Sequence, residues 1–299
     1  MSETLALILG CGYVGRRLAR ALAAQGVAVV GTCRTPDRAA GIAAAGAEPA
    51  LADLLDPDSL RPLAERRPAV VFDLVRPLPL GGDEYTVEGT RNVARVFAAT
   101  PPGALVYLSS TSVYGRREGE WTDEGTPVRP SSPAGEARAA AEQVYLDACR
   151  DAGLPARICR APGIYGPGRT LRERLELGAY RRLDDEEHWV SRIHVDDLVA
   201  GLIAAWRRGA PGESYLLCDD EPVTGAEYAE LTASLLDLPL PPSVSREDIR
   251  HDLSKSAFER RVGARRCSNR RMREELGVIP IYPSVREGVP AALREEGAL

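Results

Sequence analysis

Short apolar runs alternate with helix-length amphipathic segments from residue 4 to residue 160. Thr4–Leu9 is apolar at nearly every position, the pattern of a strand covered on both faces. Val14–Gln25 then places its apolar residues at helical period. The alternation continues with strands at Val27–Gly31, Pro49–Ala52, Ala69–Leu74, Ala104–Ser109 and Ala156–Arg160. Between them, helical spacing predicts Asp37–Ala45, Asp56–Arg66, Asp83–Ala99 and Pro133–Ala152. Strands separated by helices imply parallel pairing through right-handed crossovers, because parallel neighbours need a long connection. The expected fold class is α/β, a doubly wound parallel sheet.

After Gly166 the rhythm breaks. Arg169–Glu187 is charged and helix-prone, His194–Arg207 reads as an amphipathic helix and Ser214–Cys218 as a strand. Thr224–Leu236 reads as a helix that stops before the proline-rich Leu238–Pro242, and short helices fit Arg270–Leu276 and Val285–Arg294. The expected organisation is a dinucleotide-binding domain over 1–165, with 190–220 packing back onto it. Residues 166–189 and 221–299 are then a smaller, mostly helical C-terminal substrate-binding region.

Composition narrows the function. At 44% hydrophobic and 27% charged residues of both signs, the 299-residue chain can fill a core. A formal charge of -5 argues against a basic surface for nucleic acid or an acidic membrane. No apolar stretch approaches the roughly 18 residues of a membrane helix, and the opening residues lack the basic start of a signal peptide. A cytoplasmic protein is expected. The cysteines (Cys11, Cys33, Cys149, Cys159, Cys218, Cys267) are scattered singly, with no metal-ligand spacing, so reduced thiols and no metal site are expected. Of 38 basic residues only Lys255 is a lysine, so a mechanism that needs a lysine must use that one.

Gly10-Cys11-Gly12-Tyr13-Val14-Gly15 is a GxGxxG directly after a buried strand and opening a helix. Gly10 permits the tight turn, Gly12 lets backbone approach a pyrophosphate, and Gly15 lets helix and strand pack closely, with the Tyr13 and Val14 amides facing the phosphates. In this context the sheet is a Rossmann-type one. The end of the second strand distinguishes the nucleotides. An NAD site usually carries Asp or Glu there for the ribose hydroxyls, whereas this chain has Thr32-Cys33-Arg34. Thr32 can donate, and the planar fork of Arg34 suits a 2′-phosphate. NADP is therefore favoured, with NAD the alternative; the competing reading of Arg34 is a solvated surface arginine.

On these residues the chain resembles the NAD(P)-dependent epimerase/dehydratase family, the extended and atypical short-chain dehydrogenase/reductases. Asp53-Leu54 looks like its third-strand adenine contact, Glu88–Asn92 its GTxN helix, and Val106–Gly115 its SSxxVYG strand. Arg160–Arg169 is similar to its RxxxxYGPGR segment, Arg192–Asp197 to its IHVDD element, and Asn269–Gly277 to its closing N-x-R-x-R-x-E-L-G. The resemblance implies hydride transfer at a carbonyl or hydroxyl carbon of a small molecule, often a nucleotide-activated sugar, with a homodimer formed by the helices beside the fifth and sixth strands. Its members use a tyrosine with a lysine four residues later, the ammonium lowering the phenol's pKa. Aligning Ser132–Glu142 with the family's SPYGxSKxAxE places Ala134 at the tyrosine and Arg138 at the lysine.

Ser110 matches the family's active-site Ser/Thr, and Tyr114 is the nearest phenol in sequence, more often a packing residue than a replacement acid. Arg138 retains the charge to hold the nicotinamide ribose but not a proton to lose. Glu136 and Glu142 read as a solvated face or salt-bridge partners, and Asp123 and Glu124 as turn formers. Arg169 and Arg192 are substrate-anion candidates, weighed against surface ion pairs, and His194 is expected to order the start of its helix beside Asp196 and Asp197. The leading function is an NADP-preferring oxidoreductase or epimerase/dehydratase without the Tyr/Lys pair. The alternative is a non-catalytic NADP-binding sensor or regulatory scaffold.

Overall fold

In the computed structural model, which describes residues 4–185, 187–251 and 253–299, the apolar run Leu5–Leu9 is strand β1, with four of its five residues buried. Around it assemble β2 (Ala28–Cys33), β3 (Glu48–Leu51), β4 (Val70–Asp73), β5 (Ala104–Ser110), β6 (Ala156–Ala161) and β7 (Ser214–Leu216). They form one seven-stranded parallel sheet in the order β7-β6-β5-β4-β1-β2-β3. Strand order reverses direction at the β1/β4 neighbours, the position where such sheets open a crevice for ligands. Leu7 of β1 stands level with Val30 of β2 and with Val71 of β4. Asp73 of β4 stands level with Tyr107 of β5.

The crossover helices are α1 (Tyr13–Ala23), α2 (Ala39–Ala43), α3 (Pro57–Glu65), α4 (Glu88–Ala99) and α5 (Pro133–Ala152). Helix α1 buries Val14, Leu18, Ala19 and Leu22, the face its helical period predicts. Helix α3 begins on Asp56, whose carboxylate accepts from the Asp58 N–H, with Pro57 in the first turn where its missing N–H costs nothing. Leu9, Val30, Val71, Phe97, Leu105, Tyr107, Tyr145 and Ile158 share one buried cluster.

The chain divides into two compact units. The first holds the residues up to Ser110, with Glu136–Arg160 and Val199–Tyr215. The second holds Thr111–Gly135, Ala161–Leu198 and Leu216–Leu299. Later helices are α6 (Arg172–Glu176), α7 (Val195–Arg208), α8 (Gly225–Leu235), α9 (Lys255–Val262), α10 (Arg270–Glu274) and α11 (Val285–Glu295). The core of the second unit gathers Tyr165, Tyr228, Val285, Val289 and Leu293. Helix α8 starts with a capping box, Thr224 and Glu227 each satisfying the other's backbone N–H.

Four stretches differ from the sequence expectation. The helix expected over Asp83–Ala99 begins only at Glu88, because Leu78–Gly81 and Glu84–Thr86 pair antiparallel across Gly81 and Gly82, both at positive φ. The Asp37–Ala45 segment starts as a single 3-10 turn, Pro36–Arg38, before α2. Among the described residues of Arg169–Glu187, which leave out Glu186, only α6 is helical, since Gly178 at φ 61 follows it and Arg182–Leu183 pairs instead with Ser243–Val244. Helix α9 went unread, although Ser254 caps it by accepting from the Ala257 N–H. Among the described residues no helix is long and apolar enough to cross a membrane.

A Cβ at Gly288 of α11 would lie 2.0 Å from the Tyr165 hydroxyl oxygen. Gly288→Ala should therefore destabilise the protein by about 1–3 kcal/mol through overpacking. Urea denaturation measures this, and parent-like stability would contradict the contact.

Candidate cofactor and active site

Gly10 sits at φ 76, a conformation that favours glycine, and a Cβ there would meet Val75 Cγ2 at 2.7 Å. The turn is closed by the Gly12 N–H on the Gly10 carbonyl at 2.7 Å and the Cys11 N–H on the Thr32 carbonyl at 3.0 Å. At Gly15 a Cβ would crowd the Gly10 carbonyl at 3.1 Å and Ile8 Cγ2 at 3.2 Å, which explains how closely α1 packs on β1. At Gly12 it would meet nothing within 4 Å. This position faces open space rather than packing.

Helix α1 starts at Tyr13 with no side-chain cap and no acidic residue in its first turn. Its leading N–H groups and positive dipole end are thus left to an anion. Thr32 is 2% exposed, and its Oγ1 accepts from the Gly10 N–H at 3.0 Å. The hydroxyl read as a nucleotide contact thus braces the glycine turn. Arg34 is exposed, without an ion-pair partner among the described residues. Asp53 Oδ1 accepts from the Leu55 N–H at 3.0 Å. Buried Asn92 donates to the Leu54 carbonyl at 2.9 Å, joining the Glu88–Asn92 and Asp53-Leu54 motifs.

The inner face of α5 is polar at three levels. Arg138 Nη1 donates to the Leu108 carbonyl at 2.9 Å and the Tyr107 hydroxyl at 3.2 Å. Glu142 is 3% exposed and accepts from Ser109 Oγ at 2.5 Å and from the Arg160 fork, Nη2 at 2.7 Å. Tyr145 donates to Asp73 at 2.5 Å. Residues 138, 142 and 145 lie on one helix face because their spacing is one and two turns. Of the two readings of Glu142, a solvated face and a salt-bridge partner, the structure has the second: it is buried and pairs with Arg160 of β6. Glu136 is exposed, as expected. Ser110, half-buried, ends β5 one residue after the Ser109 anchor.

In the second unit Tyr114 is 1% exposed, within the turn Thr111–Tyr114. Arg265 pins that turn, donating to Thr111 Oγ1 at 3.1 Å and the Gly115 carbonyl at 2.7 Å. Ala134 is half-buried, its N–H on Ser256 Oγ at 3.2 Å. Asp123 closes a turn with Thr126, and Glu124 accepts from the Leu216 N–H at 2.6 Å, both structural roles. Arg169 is exposed. Among the described residues Arg192 has no ion-pair partner: its guanidinium stacks 4.7 Å from the Tyr228 ring centroid, and its Nε is buried without a hydrogen-bond partner there. His194 Nδ1 accepts from the Asp196 N–H, and Asp197 accepts from the Ile281 and Tyr282 N–H groups, so this cluster orders the start of α7 as expected.

Sequence reasoning missed Asp73, Tyr107, Tyr145 and Arg265. The first three are legible only in part: Tyr145 follows Arg138 by seven residues, but nothing in the chain announces that Asp73 faces it. Burial pushes the Asp73 carboxyl up to about 6, with Tyr145, the Val75 N–H and Arg138 opposing the rise. Among the described residues no cluster of three or more His, Cys, Asp or Glu side chains could hold a metal.

A model of the NAD dependent epimerase/dehydratase family matches residues 6–218. The protein YeeZ of Escherichia coli (strain K12) is 27% identical over 282 residues, 92% of this chain and 95% of that one. A 3-diazoavenalumate denitrifying reductase from a Streptomyces species is 28% identical over 299 residues, 93% and 96% of the two chains. The solved structure of a functionally unknown conserved protein from Silicibacter pomeroyi is 36% identical, with a TM-score of 0.81 over 98% of this chain and 99% of that chain.

Because Asp73 binds its proton more tightly folded than unfolded, its contribution to stability is full below about pH 4 and is lost as pH rises through about 6, by up to about 3 kcal/mol. Asp73→Asn should remove that decline from urea-denaturation curves taken between these values. An unchanged slope would assign the decline to other groups.

Proposed function

This chain belongs to the NAD dependent epimerase/dehydratase family, and we propose that it is an NADP-preferring oxidoreductase acting on the carbonyl or hydroxyl group of a small molecule. The observation that carries the reading is the uncapped start of α1 beside the open face of Gly12, with exposed Arg34, which has no ion-pair partner among the described residues, beyond the end of β2. These residues fit a dinucleotide: the α1 amides take the pyrophosphate, Arg34 a 2′-phosphate, and the Asp53-Leu54 segment the adenine. When bound, the nicotinamide supplies or accepts the hydride.

What the protein adds differs from the family's usual pair. Ala134 carries no proton, and Arg138 brings a guanidinium fork where the family has a lysine amine. In this reading Arg138 grips the nicotinamide ribose from the wall of β5, where the Leu108 carbonyl and Tyr107 already aim it. Ser110 hydrogen-bonds the reacting oxygen, and ordered water supplies the proton. Doing without a positioned phenol costs about 10²–10⁴-fold in general acid catalysis, which favours substrates whose carbonyl is already polarised. Buried Tyr114 serves packing. Within the second unit, Arg192, whose Nε has no hydrogen-bond partner among the described residues, is a stronger candidate than Arg169 for an anionic group on the substrate. The similarity to a reductase over nearly the whole of both chains supports reduction ahead of epimerisation.

Single-turnover oxidation of NADPH against a panel of carbonyl compounds, nucleotide sugars included, tests the reading. Consumption of bound NADPH with at least one class is expected, and inertness across the panel would favour a sensor. Arg34→Ala should weaken NADPH about tenfold while leaving NADH nearly unchanged, as loss of one charge-assisted contact predicts. Equal losses in a binding titration would remove the 2′-phosphate assignment.

A further inference from the structure

We propose that Asp73 and Tyr145 are positioning residues for Arg138, setting its guanidinium at the nicotinamide end of the cofactor site. The proposal rests on the reading above that Arg138 meets the nicotinamide ribose. It starts from a carboxyl where packing asks for none. Val70, Val71, Phe72 and Asp73 make up β4, and all four are 0% exposed. An apolar fourth residue would complete the strand without the cost of burying an ionisable group. The carboxyl must therefore be held there by what it binds.

It binds two things. Oδ2 accepts from the Tyr145 hydroxyl at 2.5 Å, and Oδ1 accepts from the Val75 N–H at 3.0 Å. Tyr145 follows Arg138 by seven residues, two turns along the same face of α5. The hydrogen bond that Tyr145 donates to this fully buried strand end thus fixes both the rotation of α5 about its axis and its height over the sheet. A one-residue slip would turn the helix by about 100° and carry Arg138 off the wall of β5.

Tyr107 completes the connection. It stands level with Asp73 on the neighbouring strand, its ring lies 5.1 Å from the Tyr145 ring, and its hydroxyl accepts from Arg138. The other charged group on this face, Glu142, is already committed to Ser109 and Arg160. Buried Asp73, Tyr145 and Tyr107 therefore form one continuous line that ends on half-buried Arg138. The same carboxyl, through Val75, lies behind the packing contact on Gly10, so one residue braces both the glycine turn and the helix that carries Arg138.

Calorimetric titration of the full chain at pH 8, above the range in which Asp73 titrates, tests the proposal with two probes. These are NADPH and 2′-phospho-ADP, which keeps the adenosine 2′-phosphate and the diphosphate but lacks the nicotinamide and its ribose. Tyr145→Phe keeps the ring and removes only the hydroxyl. It is expected to weaken NADPH about tenfold and to leave 2′-phospho-ADP unchanged. Asp73→Asn still accepts from Val75 but meets Tyr145 with a donor, and should give the same selective loss at smaller size. Adding Tyr145→Phe to Arg138→Gln should cost nothing further, since no guanidinium remains to be aimed. Equal losses for both probes, additive losses in the double variant, or a lowered Tm with unchanged affinity for both probes would each show a merely structural role and overturn the proposal. If Arg138→Gln leaves NADPH binding intact, the ribose assignment itself is wrong. If Arg138→Gln weakens NADPH and Tyr145→Phe does not, the ribose assignment stands and this proposal alone falls.

Discussion

A crossover helix normally docks on a sheet through an apolar stripe; α5 also docks through three polar anchors. Arg138, Glu142 and Tyr145 occupy successive turns of its inner face and meet partners on β4, β5 and β6. Buried polar groups cost free energy unless each is satisfied, and then they admit few alternative arrangements. An apolar stripe tolerates a helix sliding or rolling by a fraction of a turn. Hydrogen bonds of 2.5–2.9 Å to a strand carbonyl, a serine and a strand-end carboxyl do not. The placement of Ser110 depends on this seam too, because Ser109 immediately before it is one of the anchors.

The glycine turn shows the complementary strategy, in which side chains are withheld. Gly10 and Gly15 are glycine because neighbours leave no room, whereas Gly12 is glycine although nothing surrounds it. Residues that cost conformational entropy without a packing return mark a surface kept clear for a ligand. Thr32 supports that surface from below. Its burial obliges the hydroxyl to find a partner, and the Gly10 N–H is the one within reach.

Much of the first unit was legible in the chain. Apolar runs such as Leu5–Leu9 and Val70–Asp73 lie in the middle of the sheet, and the bounds of α5 agree with its spacing at both ends. The glycine spacing located the turn, because each glycine answers a local steric demand. The later segments were less readable for a physical reason. Arg169–Glu187 carries charge but no periodic apolar face, so its conformation is decided by contacts with Ser243–Val244 that are distant in sequence. The polar seam was hidden for the same reason. Glu142 sits four residues after Arg138 and invites a local pair, yet the tertiary partner Arg160 wins because burial strengthens a forked, fully hydrogen-bonded ion pair over a helical neighbour contact.

The arginine-dominated basic composition has a practical side. Lys255, exposed in the first turn of α9, carries the chain's single side-chain amine. Amine-directed reagents such as succinimidyl esters therefore have one side-chain target, on the helix that Ser254 caps. A fluorophore or surface linker attached through that nitrogen leaves every guanidinium intact, Arg34 and Arg138 included, giving one defined side-chain point of attachment without engineering a new residue.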